Sequence, residues 1–333
     1  MRSTLIAFSQ IALLVLGSSL LSAAGSRSLL HRELNLAVLY SRRDANLDFH
    51  PAPLFSSIGF EHLTKFADGT PGRLNPDATD LYVQFAYDPL DDRLETRFRD
   101  VWIRFVEPAS GFRVRLGHFD IPFGLNPIAE PRGVALQPLA FFDLGFKKDW
   151  GLSVQGEWQN FGYETAATTG MGDKLRRRRG RYLWTGRIGI PTYRDVQYGI
   201  SSLYGVLPAS SLSRELKTSW RLSMDVTYLY HEPFTVARGE LTFGADDGTT
   251  VGGFLLRLNQ IIPANPKWAI ETQMRAWRTG LPAAAVTRTE GVVGIRRALP
   301  YLLNLRLHWR HYFSSTGIRE DDRIFVQIYY YGY

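Results

Sequence analysis

Thr218–Tyr230 reads TSWRLSMDVTYLY, and its two parities are chemically opposite. Trp220, Leu222, Met224, Val226, Tyr228 and Tyr230 fall on one; Ser219, Arg221, Ser223, Asp225 and Thr227 fall on the other. Successive side chains of a strand point to opposite faces, so this spacing predicts a strand lying between an apolar medium and water. A helix would scatter the charged residues around its circumference.

The same pattern recurs along the chain. Leu303, Leu305, Leu307 and Trp309 alternate with Asn304, Arg306, His308 and Arg310. Trp268, Ile270, Thr272 and Met274 alternate with Lys267, Glu271, Gln273 and Arg275, and Phe112, Val114 and Leu116 with Arg113 and Arg115. Leu81–Asp88 and Trp150–Gln159 follow the rule as well. Between Glu33 and Tyr333 the pattern gives about 16 strands, in a range of roughly 14 to 18, with the first two least distinct. Turn-rich stretches such as Ala-Asp-Asp-Gly and Pro-Ala-Asn-Pro separate most of them. The expected fold is all-β, a transmembrane antiparallel barrel, because closure removes edges that lipid cannot hydrate.

The N-terminus fits export. Arg2 precedes the apolar run Leu5–Leu21, and Ser22-Ala23-Ala24 offers the small residues a signal peptidase reads. Residues 1–24 are expected to be a signal peptide and 25–333 the barrel; no later stretch approaches the ~18–20 apolar residues of a spanning helix. The chain of 333 residues has no cysteine, so neither disulfides nor thiolate metal sites hold it together. Its net charge of +7 would suit nucleic acid, an anionic surface or anionic solutes, and export argues against nucleic acid. Tyrosine and tryptophan are prominent among the 13% aromatic residues, as in the interfacial girdles of membrane barrels. The last segment, RIFVQIYYYGY from Arg323 to Tyr333, resembles the C-terminal signal of outer-membrane barrels.

Counting strands back from this end assigns the connections to sides. Glu107–Ser110, Gln159–Phe161, His231–Pro233 and Leu299–Pro300 become short periplasmic turns, and the basic run KLRRRRGR (174–181) falls outside. Phosphates of lipopolysaccharide are the polyanion available to that run there, or it is a solvated charge run with no ligand. Residues 121–148, IPFGLNPIAEPRGVALQPLAFFDLGFKK, join the fifth and sixth strands. The segment is too long and apolar for a solvated loop, so it is expected to fold inward and narrow the lumen; an external lid or subunit latch is the alternative.

Gly117-His118-Phe119-Asp120-Ile121-Pro122-Phe123-Gly124-Leu125 resembles the signature of the phosphate-selective porins of the O and P type. The resemblance implies a 16-stranded trimeric channel constricted by its third external loop. It covers nine residues, and the family's phosphate-coordinating residues do not map one by one, so phosphate specificity does not carry over.

With the apolar parity toward lipid, Arg104, Arg113, Arg115, Arg187, Arg221, Arg257, Lys267, Arg275, Arg288, Arg296, Arg306 and Arg310 face the pore. Asp100, Glu157, Asp225, Glu271 and Glu290 oppose them. Arg104, Arg113, Arg115, Arg132, Arg257, Arg275, Arg306 and Arg310 are the candidate anion-contacting residues, with Arg113 and Arg115 foremost; Lys147 and Lys148 could add to the constriction. Guanidinium rings favour anions if unpaired; paired with acids and tyrosines, they only brace the wall. The seven histidines are dispersed, and His308 and His311 point to opposite faces, so no metal, cofactor or catalytic constellation is expected. The leading expectation is a passive outer-membrane porin for small, mostly anionic solutes, not an enzyme, in contact with lipid and lipopolysaccharide and forming a homotrimer. The alternatives are a barrel that sheathes or anchors a periplasmic electron-transfer protein, and an outer-membrane hydrolase.

Overall fold

A computed structural model of the chain describes residues 26–41, 46–48, 56–67, 69–88, 93–127, 136–141, 147–172, 180–191, 193–208, 216–279, 286–313 and 320–332. The expected signal peptide lies outside these residues. In chain order the strands are β1 (Arg27–Ser41), β2 (Asn46–Asp48), β3 (Ser57–Lys65), β4 (Asn75–Asp88), β5 (Arg93–Glu107), β6 (Phe112–Asp120), β7 (Lys148–Trp158), β8 (Phe161–Thr168) and β9 (Tyr182–Gly189). They continue with β10 (Val196–Pro208), β11 (Leu216–His231), β12 (Phe234–Asp246), β13 (Thr249–Ile261), β14 (Trp268–Thr279), β15 (Val286–Ala298), β16 (Leu303–Tyr312) and β17 (Asp321–Gly332).

Each strand from β3 onward pairs antiparallel with the next, and β1 pairs with β17 from Arg32↔Gly332 to Ser41↔Arg323, which closes the sheet. β2 and β3 both pair with β1, at Leu39–Ser41 and Arg27–Asn35 respectively, and so occupy one barrel position. The result is a closed 16-strand antiparallel barrel. β1 begins at Arg27, earlier than alternation indicates, because Arg27–Arg32 (RSLLHR) carries no two-fold contrast yet still pairs through its backbone with Phe60–Lys65.

The sheet buries its polar parity. On β11, Ser219, Arg221, Ser223, Asp225 and Thr227 are buried while Trp220, Leu222, Met224, Val226, Tyr228 and Tyr230 are exposed. On β16, Leu307 and Trp309 are 45% and 49% exposed, against 2% and 5% for His308 and Arg310. Aromatics on the outer face gather at two heights. Trp158, Phe161, Tyr228 and Tyr230 stand beside short turns at the end shared by both termini, and Tyr182, Tyr204, Trp220, Phe243, Trp309 and Phe313 near the opposite end. Ile200, Met224, Leu241, Leu256 and Met274 lie between. The turns after β5, β7, β11 and β15 are at the termini's end, and β6 and β8 end at the other.

Candidate functional site

The candidate site is the inner wall, whose arginines are placed by strand parity and fixed by their cross-strand neighbours. Arg275 and Glu290 are register partners on β14 and β15; their side chains are wholly buried and 2.6 Å apart. The Arg275 guanidinium also donates to Gln137 O at 3.3 Å and lies over Trp277. Arg310 approaches the same Glu290 at 3.8 Å and covers the Phe325 ring. Arg221 pairs with Asp246 at 2.6 Å, and Arg187 makes a two-toothed contact with Asp225 at 2.6 and 3.0 Å.

Arg104 and Arg115 are directly opposed on β5 and β6. Arg104 donates to Asp77 at 2.6 Å; Arg115 donates to Glu164 at 2.5 Å and to Ser153, and covers Phe119. Asp77 reaches this face through a register shift between Pro76 and Ala78, a bulge that turns inward a residue simple alternation sends out. Arg113 has no ion-pair partner among the described residues. It is the second residue of β6, next to the short turn; Arg113 and Arg115 are thus some ~20 Å or more along the strand from where residues 121–148 begin, although the sequence sets them close before that segment. Arg132 and residues 174–179 of the basic run lie outside the described residues, and Lys267 sits exposed in the turn before β14.

The described residues of the 121–148 segment are buried against inward-facing side chains. Ile121 and Phe123 cluster with Leu183, Leu203 and Leu207 of β9 and β10; Leu125 and Leu139 with Val251, Leu255 and Trp277 of β13 and β14; Leu136 with Val292 of β15. Gly124 N–H donates to Ser201 Oγ at 2.8 Å. Two glycines of the nine-residue stretch are sterically required. Gly117 has φ of +132° and a Cβ there would lie 2.0 Å from Val101 O; Gly124 has φ of +55° and its Cβ would press on Glu240. Lys147 and Lys148 do not enrich a constriction with charge. Lys148 Nζ is 2.8 Å from Asp100 and 3.2 Å from Asp120, and Lys147 is 3.2 Å from Asp120, so both brace the base of the segment.

Acids that alternation does not bring forward, namely Asp77, Glu164, Glu240 and Asp246, join the inner face and reduce the cationic excess read from the sequence. The first half of β12 is obscure in the sequence because its outward positions Ala237 and Gly239 are small and give little contrast. It supplies Arg238, directly opposite Arg257 of β13. Arg296 and Arg306 are likewise opposed on β15 and β16, and Arg310 and Arg323 on β16 and β17. Like charges directly across a ladder repel. Arg238, Arg257, Arg296 and Arg306 line one cavity of about 300 Å³ on the lumen side, together with Glu271 and His308. Among the described residues no group of His, Asp or Glu is arranged to hold a metal ion.

No protein-family model and no curated protein sequence matches the chain. Solved structures match it in shape. An anion-selective porin from Comamonas acidovorans superposes with a TM-score of 0.65 at 10% identity, over 92% of this chain and 100% of that one. The outer-membrane channel DcaP of Acinetobacter baumannii gives 0.64 at 11%, over 93% and 99%, and the outer-membrane expressed OmpT of Vibrio cholerae 0.64 at 8%, over 93% and 99%. This chain shares their barrel fold. At such identities the likeness concerns backbone architecture and leaves side-chain chemistry to be read from this chain's own residues.

Proposed function

We propose that the protein is an outer-membrane porin through which small solutes diffuse passively, with anions preferred, after export directed by residues 1–24. One observation carries the membrane reading: the outer face is apolar between two aromatic tiers while ionised groups are buried on the inner face. From Trp220 to Tyr230 the strand runs about 33 Å, which a tilt of about 40° projects to about 25 Å, the height of the apolar band of such barrels. Its likeness to an anion-selective porin and to DcaP is consistent with a channel.

Anion preference rests on the opposed arginine pairs. Arg104, Arg115, Arg275 and Arg310 each meet a carboxylate within 4 Å, so much of the wall is internally braced. The wall around Arg257, Arg296 and Arg306 has one lining carboxylate, Glu271, with Glu240 acting on Arg257, and keeps a positive excess. The described residues of the 121–148 segment, packed across β9, β10 and β13 to β15, narrow the path on this reading. A homotrimer and contact of residues 174–181 with lipopolysaccharide phosphates belong to the same proposal. In planar bilayers under a KCl gradient the reversal potential should lie toward the chloride value. A potential toward the potassium value would defeat the anion preference, and a barrel that inserts without conducting would defeat the channel.

A further inference from the structure

The cavity bounded by Arg238, Arg257, Arg296 and Arg306 lies between Leu136 of the 121–148 segment and the short-turn end of β12–β16. Its one carboxylate, Glu271, is held unevenly. His308 Nε2 approaches Glu271 Oε2 to 2.8 Å, and the imidazole reaches there from β16 because its register partner Gly294 has no side chain; a Cβ on Gly294 would lie 2.3 Å from His308 Cδ2. Arg296 Nε and Arg306 Nε stand 3.4 and 3.6 Å from Glu271, well beyond the ~2.7–2.9 Å of a charge-assisted hydrogen bond. Arg257, buried, donates Nε–H and Nη2–H to the neutral Gln273 Oε1, so the amide satisfies donors without cancelling charge.

Arg257, Arg296 and Arg306 outnumber the carboxylates that act on them, Glu271 at the lining and Glu240 on Arg257, and leave a local positive excess in a partly closed space. Of the remaining lining, Asn259 and Gln260 are polar and Phe234 sits at the turn, while Leu136, Val236, Ile261 and Ala269 are apolar. A hydrated inorganic anion gains nothing from those four residues. An ion with a carboxylate at one end and a hydrocarbon body at the other uses both, because a guanidinium matches a carboxylate two-toothed and the body loses its apolar surface to the wall. The volume of about 300 Å³ sits at the small end of ligand pockets, which run from about 300 to 1,000 Å³.

We propose that this cavity is a binding subsite for small organic monocarboxylates, an assignment that rests on the lumen being the solute path. The incoming carboxylate takes the place beside Arg257 and the loosely held faces of Arg296 and Arg306, and Glu271 competes with it.

The test is calorimetric titration of the detergent-solubilised barrel with benzoate, with benzyl alcohol and inorganic phosphate as comparison probes, alongside bilayer conductance. Benzoate should bind saturably, at least ten-fold more tightly than either comparison. Arg257→Gln and Arg306→Gln should each weaken it about ten-fold, whereas Glu271→Gln should tighten it several-fold, an effect misfolding cannot mimic. Arg194→Gln, in an exposed turn, should leave it unchanged. Phosphate binding as tight as benzoate would overturn the organic assignment, and loosened binding in Glu271→Gln would overturn the competition. A barrel that conducts chloride but ignores benzoate would overturn the subsite and leave the channel standing. Saturable benzoate binding, lost in Arg257→Gln, by a barrel that does not conduct would uphold the subsite and remove the channel.

Discussion

The strongest single constraint at the residue scale is the Arg275–Glu290 pair, with neither side chain exposed. Two paired buried charges are nearly neutral for stability, but removing Arg275 leaves Glu290 to the more distant Arg310, at a cost of up to about 3–5 kcal/mol. Arg275→Ala should therefore destabilise the barrel by up to that amount, and Arg275→Leu with Glu290→Met should recover most of it; denaturant unfolding of the refolded protein measures both. A loss in the double variant equal to the sum of the losses in Arg275→Leu and Glu290→Met alone would show that the pair is not coupled. Sequence parity placed Arg257, Arg275, Arg306 and Arg310 on the inner face, where the structure has them. It could not supply their partners. Asp77 enters through a bulge, Glu290 through the β14–β15 register, and Arg238 on a strand whose small outward residues conceal its periodicity.

At the scale of elements, alternation alone made β11 and β16 legible, because every outward residue of β11 from Trp220 to Tyr230 is large and apolar. A cation there should be expensive. Met224→Lys, more than half exposed on the outer face and far from both aromatic tiers, should cost about 2–4 kcal/mol in lipid, read as a lowered unfolding midpoint in vesicles. No change would mean that this face does not meet hydrocarbon. The segment at 121–148 was legible as a long apolar connection, but its docking was not, since Ile121, Phe123, Leu125, Leu136 and Leu139 find partners on five strands remote in sequence. Gly124 fastens it, through Ser201 and a close approach to Glu240 that excludes a Cβ. Gly124→Val, which adds strain at positive φ as well as bulk, should lift the segment from the wall and raise unit conductance at least two-fold; single-channel recording reads this, and an unchanged unit current would place the narrowest point elsewhere.

For the molecule as a whole, two solvents and one closed sheet explain the architecture. Strand number followed from counting alternating segments, and it holds because β2 and β3 share one barrel position. Net charge was less informative than its placement. Six of the chain's positive charges lie in the run at 174–181, and among the described residues the wall holds braced arginine–carboxylate pairs and a region, between β12 and β16, where guanidiniums outnumber carboxylates. The absence of native cysteine makes the two-solvent claim directly measurable. Single cysteines at Leu222, Met224 and Val226 on the outer face, and at Arg113 and Gln155 on the inner, can be spin-labelled in the barrel reconstituted into vesicles. Labels at the three outer positions should be relaxed by oxygen dissolved in the bilayer and shielded from an aqueous nickel chelate, with the two inner positions showing the reverse. Aqueous relaxation at positions 222, 224 and 226, or a barrel that stays in solution without detergent, would contradict the account.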